Sequence, residues 1–326
     1  MVKLKARTIK GKEYAYLEKS VRIGKTTRKV AHYIGPNKNL TKWKIAEEEK
    51  KFNENLLEKT LQVKIKFIEK SLNKPESPIE FKDIKTIEEM NLIYKKIVRS
   101  LHPKDIEDIN KRFVANYVFE SNALEGNSLT LKNVAEVVFE NRISKGKDLR
   151  EIYDAKNSYN AFLFLQKKRE KINHKLIKKI HSLVLENIDD RLGYRKVPIM
   201  LLGKPNAKLS KPENVEHDME KLLEWYEENI NKIHVLELAF KFHAKFEKIH
   251  PFCDGNGRVG RLLLNYILMK HGYFPIIIRN THRNSYIKAL EAADRGKWIV
   301  LMRFALKYYK ATFRKFFLVY EKYSKN

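Results

Sequence analysis

Apolar residues recur at helical spacing along most of this chain. The period predicts helices near residues 86–100, 104–125, 131–142 and 148–168, with Pro103 suited to a first helical turn. Asn173 reads as the N-cap of a helix running to about residue 187. Amphipathic helices follow near 212–231 and 234–249, then an apolar run from Leu262 to Leu268, a helix near 282–294 and a last one from Trp298 onward. Two stretches break the helical period. Residues 13–23 and 26–34 are β-prone, separated by Gly24-Lys25 and closed by Gly35-Pro36-Asn37, which reads as a β-hairpin or small meander. Residues 194–204 read as extended and hairpin-like, and Pro275 to Ile278 as a short extended piece. The expected fold is mainly α: a helical bundle with a short β-hairpin flap, plus a small basic N-terminal β-hairpin arm.

The organisation follows from the breaks. Residues 1–40 form the arm. Residues 41–80 form a charged helical linker that ends in the helix-breaking stretch Ser71 to Pro78. Its alternating charges suit a solvated helix or a dimer-contact helix, so a homo-oligomer is a candidate. Few apolar contacts are expected between arm and core, so the arm is expected to be separable. The C-terminal helix takes residues 297–326. No internal repeat is found.

Charge changes the picture. The chain has 67 Lys and Arg against 40 Asp and Glu, a formal net charge of +27. That favours contact with a polyanion such as nucleic acid, ATP or an acidic protein. Abundant Lys, Glu and Ile with only Gln62 and Gln166 as glutamines is also what thermophile proteins show. The arm is the most basic part, with eleven Lys or Arg against Glu13 and Glu18. With Tyr14, Tyr16 and Tyr33 it is a candidate nucleic-acid contact, although packing of the tyrosines is the simpler expectation. There is no run of eighteen apolar residues and no apolar signal-peptide core at the N-terminus. Cys253 is the single cysteine, so no internal disulfide forms, and a cytoplasmic location is expected, with no membrane partner.

The chemistry concentrates in His250-Pro-Phe-Cys-Asp-Gly-Asn-Gly-Arg-Val-Gly-Arg261. A glycine-rich turn feeding a helix N-terminus is an anion site, because the first backbone N–H groups are unpaired and the helix dipole favours negative charge. Gly255 and Gly257 let backbone approach a ligand. Arg258, Arg261 and Asn265 fall on one helix face and can hold phosphates. His250 titrates in the range of a general base. Asp254 can hold Mg²⁺ that bridges phosphate oxygens. A cluster of His234, His243 and Asp254 can be drawn as a metal site, but core or capping histidines are the commoner outcome.

These residues resemble the Fic family signature, His-Pro-Phe-x-Asp/Glu-Gly-Asn-Gly/Lys-Arg-x-x-Arg, at every fixed position. The resemblance covers residues from near 85 to near 296, with a core at about 170–296. It implies a Fic-type helical bundle that moves AMP from ATP onto a protein hydroxyl. It also implies His250 as base, contacts to ATP from Gly255, Asn256, Gly257, Arg258 and Arg261 (Asn265 as a further candidate), and Phe252 as the anchor of the loop. Tyr194 and Arg195 match the start of the family's flap approximately, and such a flap would hold a target segment by strand pairing.

Upstream, Ser121-Asn-Ala-Leu-Glu-Gly-Asn127 is similar to the family's inhibitory pattern, Ser/Thr-x-x-x-Glu-Gly/Asn, on a helix at about 104–125. Taken alone it is a helix closed by Gly126. The resemblance implies that Glu125 reaches Arg261 and holds the enzyme in check. The expectation is a self-inhibited protein adenylyltransferase using Mg²⁺ and ATP, acting on a partner protein or on itself. Two alternatives stand beside it: AMP removal by the same site, with Glu125 positioning water, and a nucleic-acid-associated regulator using residues 1–40.

Overall fold

A computed structural model describes residues 2–23, 26–72, 77–143, 145–200 and 208–323. The expected Gly24-Lys25 turn, the centre of the Ser71 to Pro78 breaker and residues 201–204 of the expected flap lie outside these. The chain divides into two compact units, Met1–Pro75 with Glu80–Lys95, and Glu76–Ile79 with Lys96–Asn326.

The first unit holds a three-stranded antiparallel sheet in the order β1 (Lys3–Ile9), β2 (Lys12–Ile23), β3 (Thr26–Pro36). The expected hairpin is β2–β3. β1 is an additional edge strand, turned through Lys10 and Gly11, both at positive φ. Its sequence hides it, because all seven residues are exposed and no buried face imposes a pattern. Pairing sets Lys5 opposite Tyr16 and Arg7 opposite Tyr14, and a bulge at Ala15/Tyr16 shifts the β2–β3 register.

One face of this sheet is apolar. Ala15, Leu17, Val21, Val30 and Ile34 are buried together with Phe52. Phe52 belongs to α1 (Lys42–Glu54), and the partly buried Val63 and Phe67 belong to α2 (Leu56–Leu72). The charged stretch after the arm therefore turns an apolar stripe onto the sheet and shares its core. This is how a small sheet obtains a dry face. Lys64 of α2 and Glu88 of α3 (Phe81–Ser100) form a buried ion pair.

The second unit is helical: α4 (Pro103–Ala123), α5 (Leu131–Glu140), α6 (Leu149–Lys167), α7 (His174–Val184), α8 (Val215–Asn229), α9 (Val235–Ile249), α10 (Asn256–Lys270), α11 (Arg283–Asp294) and α12 (Trp298–Phe316). Side chains of the sequence cap the helix starts. Thr130 closes a capping box on α5, and Asn173 accepts from the Leu176 amide at the head of α7. The centre is α9 and α10. Phe240, Phe242 and Phe246 on α9, and Leu263 and Ile267 on α10, are fully buried, and Val118 of α4 and Met302 of α12 are too. α10 is buried on all sides from Val259 to Leu268, its polar residues Arg261 and Asn265 included.

Residues 194–200 of the expected flap have no strand pairing, and neither does Pro275 to Ile278. No helix among the described residues is long and apolar enough to cross a membrane.

Candidate active site

The loop between α9 and α10 is pinned from three sides. Phe252 is fully buried, stacked on His181 of α7 with ring centroids 3.8 Å apart. Nε2 of His181 donates to the Asp254 carbonyl at 3.2 Å. Burial pushes the His181 imidazole down to about 4, so the ring is neutral and can stack and donate at once. Asn256 closes the turn on itself. Its amide oxygen accepts from the Phe252 N–H at 2.9 Å, and its amide nitrogen donates to the Phe252 carbonyl at 2.8 Å.

Gly255 sits at φ +78° and caps α10, a conformation L side chains rarely adopt. The amides of the first turn of α10 thus face the loop's mouth with no intrahelical partner.

His250 ends α9 in the left-handed region, at φ 53°. Its Nδ1–H donates to the Glu247 carbonyl at 3.2 Å, which leaves Nε2 as the unprotonated nitrogen of the neutral ring. Burial holds the imidazole below its ordinary value, against the opposing pull of the Glu247 carbonyl, Glu125 and Asp254. A neutral ring is the form that can take up a proton.

Arg195 holds the backbone behind it. It donates from Nε to the His250 carbonyl at 2.8 Å, from Nη1 to Val197 at 3.2 Å, and from Nη2 to the carbonyl of Ser210. Its own N–H donates to the Pro251 carbonyl at 2.8 Å. Tyr194 hydrogen-bonds His174 at 2.8 Å.

The two arginines of the loop, Arg258 and Arg261, are buried. Arg258, 4% exposed, pairs with Asp154 of α6 and reaches Asp254 at 3.4 Å. Arg150, four residues before Asp154, donates to the other Asp254 oxygen at 2.5 Å. Burial pushes the Asp154 carboxyl up, against the pull of Arg258 and Arg150.

Arg261 is 3% exposed. Its Nε donates to the Ser121 hydroxyl at 2.9 Å, and its Nη2 to the Ser121 carbonyl at 2.8 Å and to Glu125 at 2.7 Å. Glu125 follows the end of α4 in a turn finished by Gly126 at φ +98°. Arg283 fastens that turn by donating to the Leu124 carbonyl at 2.9 Å. The Glu125 carboxylate lies where a Cβ on Gly257 would be.

The structure thus brings His250, Asp254, Gly255, Gly257, Arg258 and Arg261 together around one loop, and Ser121 and Glu125 onto Arg261. Two side chains are engaged differently from the phosphate contacts expected of them. Asn256 is occupied by Phe252, leaving its backbone amide for an anion. Asn265, 1% exposed, is occupied at both amide atoms by the Ile276 backbone, at 2.8 and 3.0 Å. It fastens the unpaired Pro275 to Ile278 segment onto α10. His234 caps α9 by accepting from the Leu236 N–H, and His243 is buried and hydrogen-bonded to Tyr286 at 2.6 Å. The drawn metal cluster does not form.

Sequence reasoning missed Arg150, Asp154, His181 and Glu247. Arg150 and Asp154 have i,i+4 spacing on α6, a weak signal. Glu247 lies one helical turn before His250, with Oε2 3.9 Å from His250 Nδ1 and Oε1 3.9 Å from His243 Nδ1. Burial pushes its carboxyl up to about 8.

For Mg²⁺ the donor chemistry is narrow. Among the described residues no group of three or more His, Cys, Asp or Glu could hold a metal alone. Asp254, with its side chain 30% exposed, offers one carboxylate beside the anion site, which fits Mg²⁺ only when phosphate oxygens complete the shell.

A model of the Fic/DOC family matches residues 171–268. The chain is 32% identical over 206 residues to a protein adenylyltransferase Fic of Nematostella vectensis, a match covering 59% of this chain and 46% of that protein. It is 38% identical over 136 residues to a probable protein adenylyltransferase of Aquifex aeolicus, covering 41% of each. Fic-1 of C. elegans has a similar fold, with a TM-score of 0.65 at 26% identity over 74% of this chain and 73% of that one. The chain spans about half the length of the curated relatives it matches. Residues 171–268 are a Fic/DOC family domain, and the loop from His250 to Arg261 lies inside it.

Proposed function

We propose that this chain is a protein adenylyltransferase that transfers AMP from ATP to a side-chain hydroxyl of a partner protein or of itself, and that Glu125 restrains it. The observation carrying this reading is the grouping of an imidazole with a free Nε2, a helix N-terminus and two buried arginines around one loop. The names of the relatives support the same reaction class.

In the reaction the acceptor hydroxyl oxygen attacks the α-phosphorus, and the bond from that phosphorus to the bridging oxygen of the β-phosphate breaks. Pyrophosphate leaves, and the hydroxyl proton passes to His250 Nε2. The first amides of α10 and Arg258 hold the phosphate charge. Arg261 supplies the cation for the terminal phosphate once Glu125 withdraws. Asp254 would hold Mg²⁺, which supplies charge neutralisation on the phosphates when bound.

Restraint follows from competition. While Arg261 is paired with Glu125, the cation is taken and the carboxylate lies against Gly257, where phosphate oxygens would come. ATP bound in that state has its α-phosphorus misplaced, and about an ångström of misplacement costs on the order of 10²-fold in rate.

The test is intact-mass measurement after incubation with Mg²⁺ and ATP, comparing wild type with Glu125→Gly. The variant is expected to gain AMP adducts strongly, and Ser121→Ala modestly. No gain with Glu125→Gly overturns the restraint. Loss of AMP removal from a pre-modified partner in that variant assigns Glu125 to the reverse reaction instead.

A further inference from the structure

The outward face of the N-terminal sheet carries chemistry that the transfer reaction does not use. The inner face is buried against α1 and α2. On the outer face three tyrosines from two strands meet. Tyr33 of β3 lies 5.4 Å from Tyr16 and 6.1 Å from Tyr14 of β2, tilted at 54° and 53°. The bulge between Ala15 and Tyr16 brings this about. It places Tyr16 directly opposite Tyr33 and leaves one residue of β3 unmatched. Tyr33 is 49% exposed, far above a packed tyrosine.

Cations surround the rings. Arg7 of β1 lies over Tyr16 with its guanidinium 4.5 Å from the ring centroid, and its side chain is 44% exposed. Lys5 pairs with Tyr16 and Lys3 with Glu18, so both lysines share this face. Lys29 reaches Glu18 at 3.3 Å and is 64% exposed. Glu18 is the one carboxylate in this group, and Arg7 and Lys29 already bind it. Four cations against one paired carboxylate leave the face positive.

We propose that this face binds single-stranded nucleic acid, with bases stacked on Tyr33 and its neighbours and phosphates tracked by Lys3, Lys5, Arg7 and Lys29. Exposed aromatic rings on a sheet, ringed by Lys and Arg, suit unpaired bases, each of which presents a π-face. A duplex offers this surface only its phosphates. An acidic protein segment would use the lysines but not an open ring. The cation–π pair of Arg7 and Tyr16 supplies a second planar surface beside Tyr33.

The experiment is fluorescence anisotropy of the full chain with labelled oligouridylate and oligothymidylate of about 12 nucleotides, within the site sizes such surfaces cover. Binding is expected to weaken steeply with salt. Tyr33→Ala is expected to weaken it about tenfold, while Tyr33→Phe retains it, because stacking needs the ring and not the hydroxyl. Lys5→Glu is expected to lower both the affinity and the salt slope. A thermal melt of each variant matching wild type shows the sheet intact. Equal affinity for Tyr33→Ala and wild type overturns the proposal. So does a duplex of the same sequence, or an acidic peptide, bound as tightly as the single strand. None of these readouts involves ATP or AMP transfer, so the proposal stands or falls apart from that activity.

Discussion

Arg258 of α10 is held by Asp154 of α6, an ion pair whose side chains are 5% and 15% exposed. The two residues are 104 positions apart in the chain. The arginine proposed to hold phosphate is therefore aimed by a helix outside residues 171–268, the part matched by the family model. Breaking a buried pair from one side leaves an uncompensated charge. Asp154→Ala is expected to cost about 3 kcal/mol of stability and to weaken ATP binding through the loss of Arg258's anchor. Arg258→Ala is expected to weaken both ATP affinity and turnover. Denaturant titration and calorimetric ATP binding check these; unchanged affinity in both variants would show that Arg258 does not contact the nucleotide.

His250→Ala is expected to abolish AMP transfer and leave ATP affinity close to wild type. A base acting on the incoming hydroxyl contributes about 10²–10⁴-fold in rate and little to holding phosphates. Radiolabel transfer from ATP, set beside ATP affinity, reads the two effects separately. Near-normal transfer by the variant would remove His250 from the role of base.

Glu247 makes stability depend on pH. Its folded carboxyl titrates at about 8, and its ordinary value is 4.5. Between those values the folded chain holds a proton that the unfolded chain has lost. Its contribution is therefore full below about 4.5 and declines as pH rises through 8. Glu247→Gln mimics the neutral acid and is expected to flatten this decline. The check is the denaturation midpoint of both proteins from acid to alkaline pH. An equally steep fall in the variant would mean that another group is responsible.

Removal of residues 1–40 is expected to strip the sheet from α1 and α2, exposing Phe52, Val63 and Phe67. The sequence suggests an arm separable from the core that follows; within residues 1–72 the shared apolar cluster makes the sheet and these helices one packing unit. Limited proteolysis of the shortened chain is expected to cut within residues 42–72 and to spare residues 96–323. Resistance of 42–72 to cleavage would show that the helices stand without the sheet.

Much of the helical unit is legible in the sequence, because capping residues and the 3.6-residue period act locally. Asn173 and Thr130 mark helix starts by side chains that reach only three residues on. The His250 to Arg261 stretch is legible for a similar reason: turn, cap and helix face are contiguous. Contacts from distant helices are not. Arg150 and Asp154 look like ordinary surface charges of α6 until α10 is set against them. Asn265 shares a helix face with the arginines, and only the fold shows its amide spent on Ile276. β1 escapes notice because an exposed edge strand carries no buried face to reveal its period.

Gly257 is more than a flexible link in a turn. A side chain there would occupy the volume taken by the Glu125 carboxylate. The Arg261–Glu125 pairing seen here depends on a missing methyl as well as on a charge. It can be undone in two chemically opposite ways, by subtraction at position 125 or by addition at position 257. The second leaves Arg261 and Glu125 in place but keeps them from meeting in this geometry. A carboxylate in the turn after α4 is thus insufficient for this pairing with Arg261; the vacancy that receives it sits at Gly257 on α10.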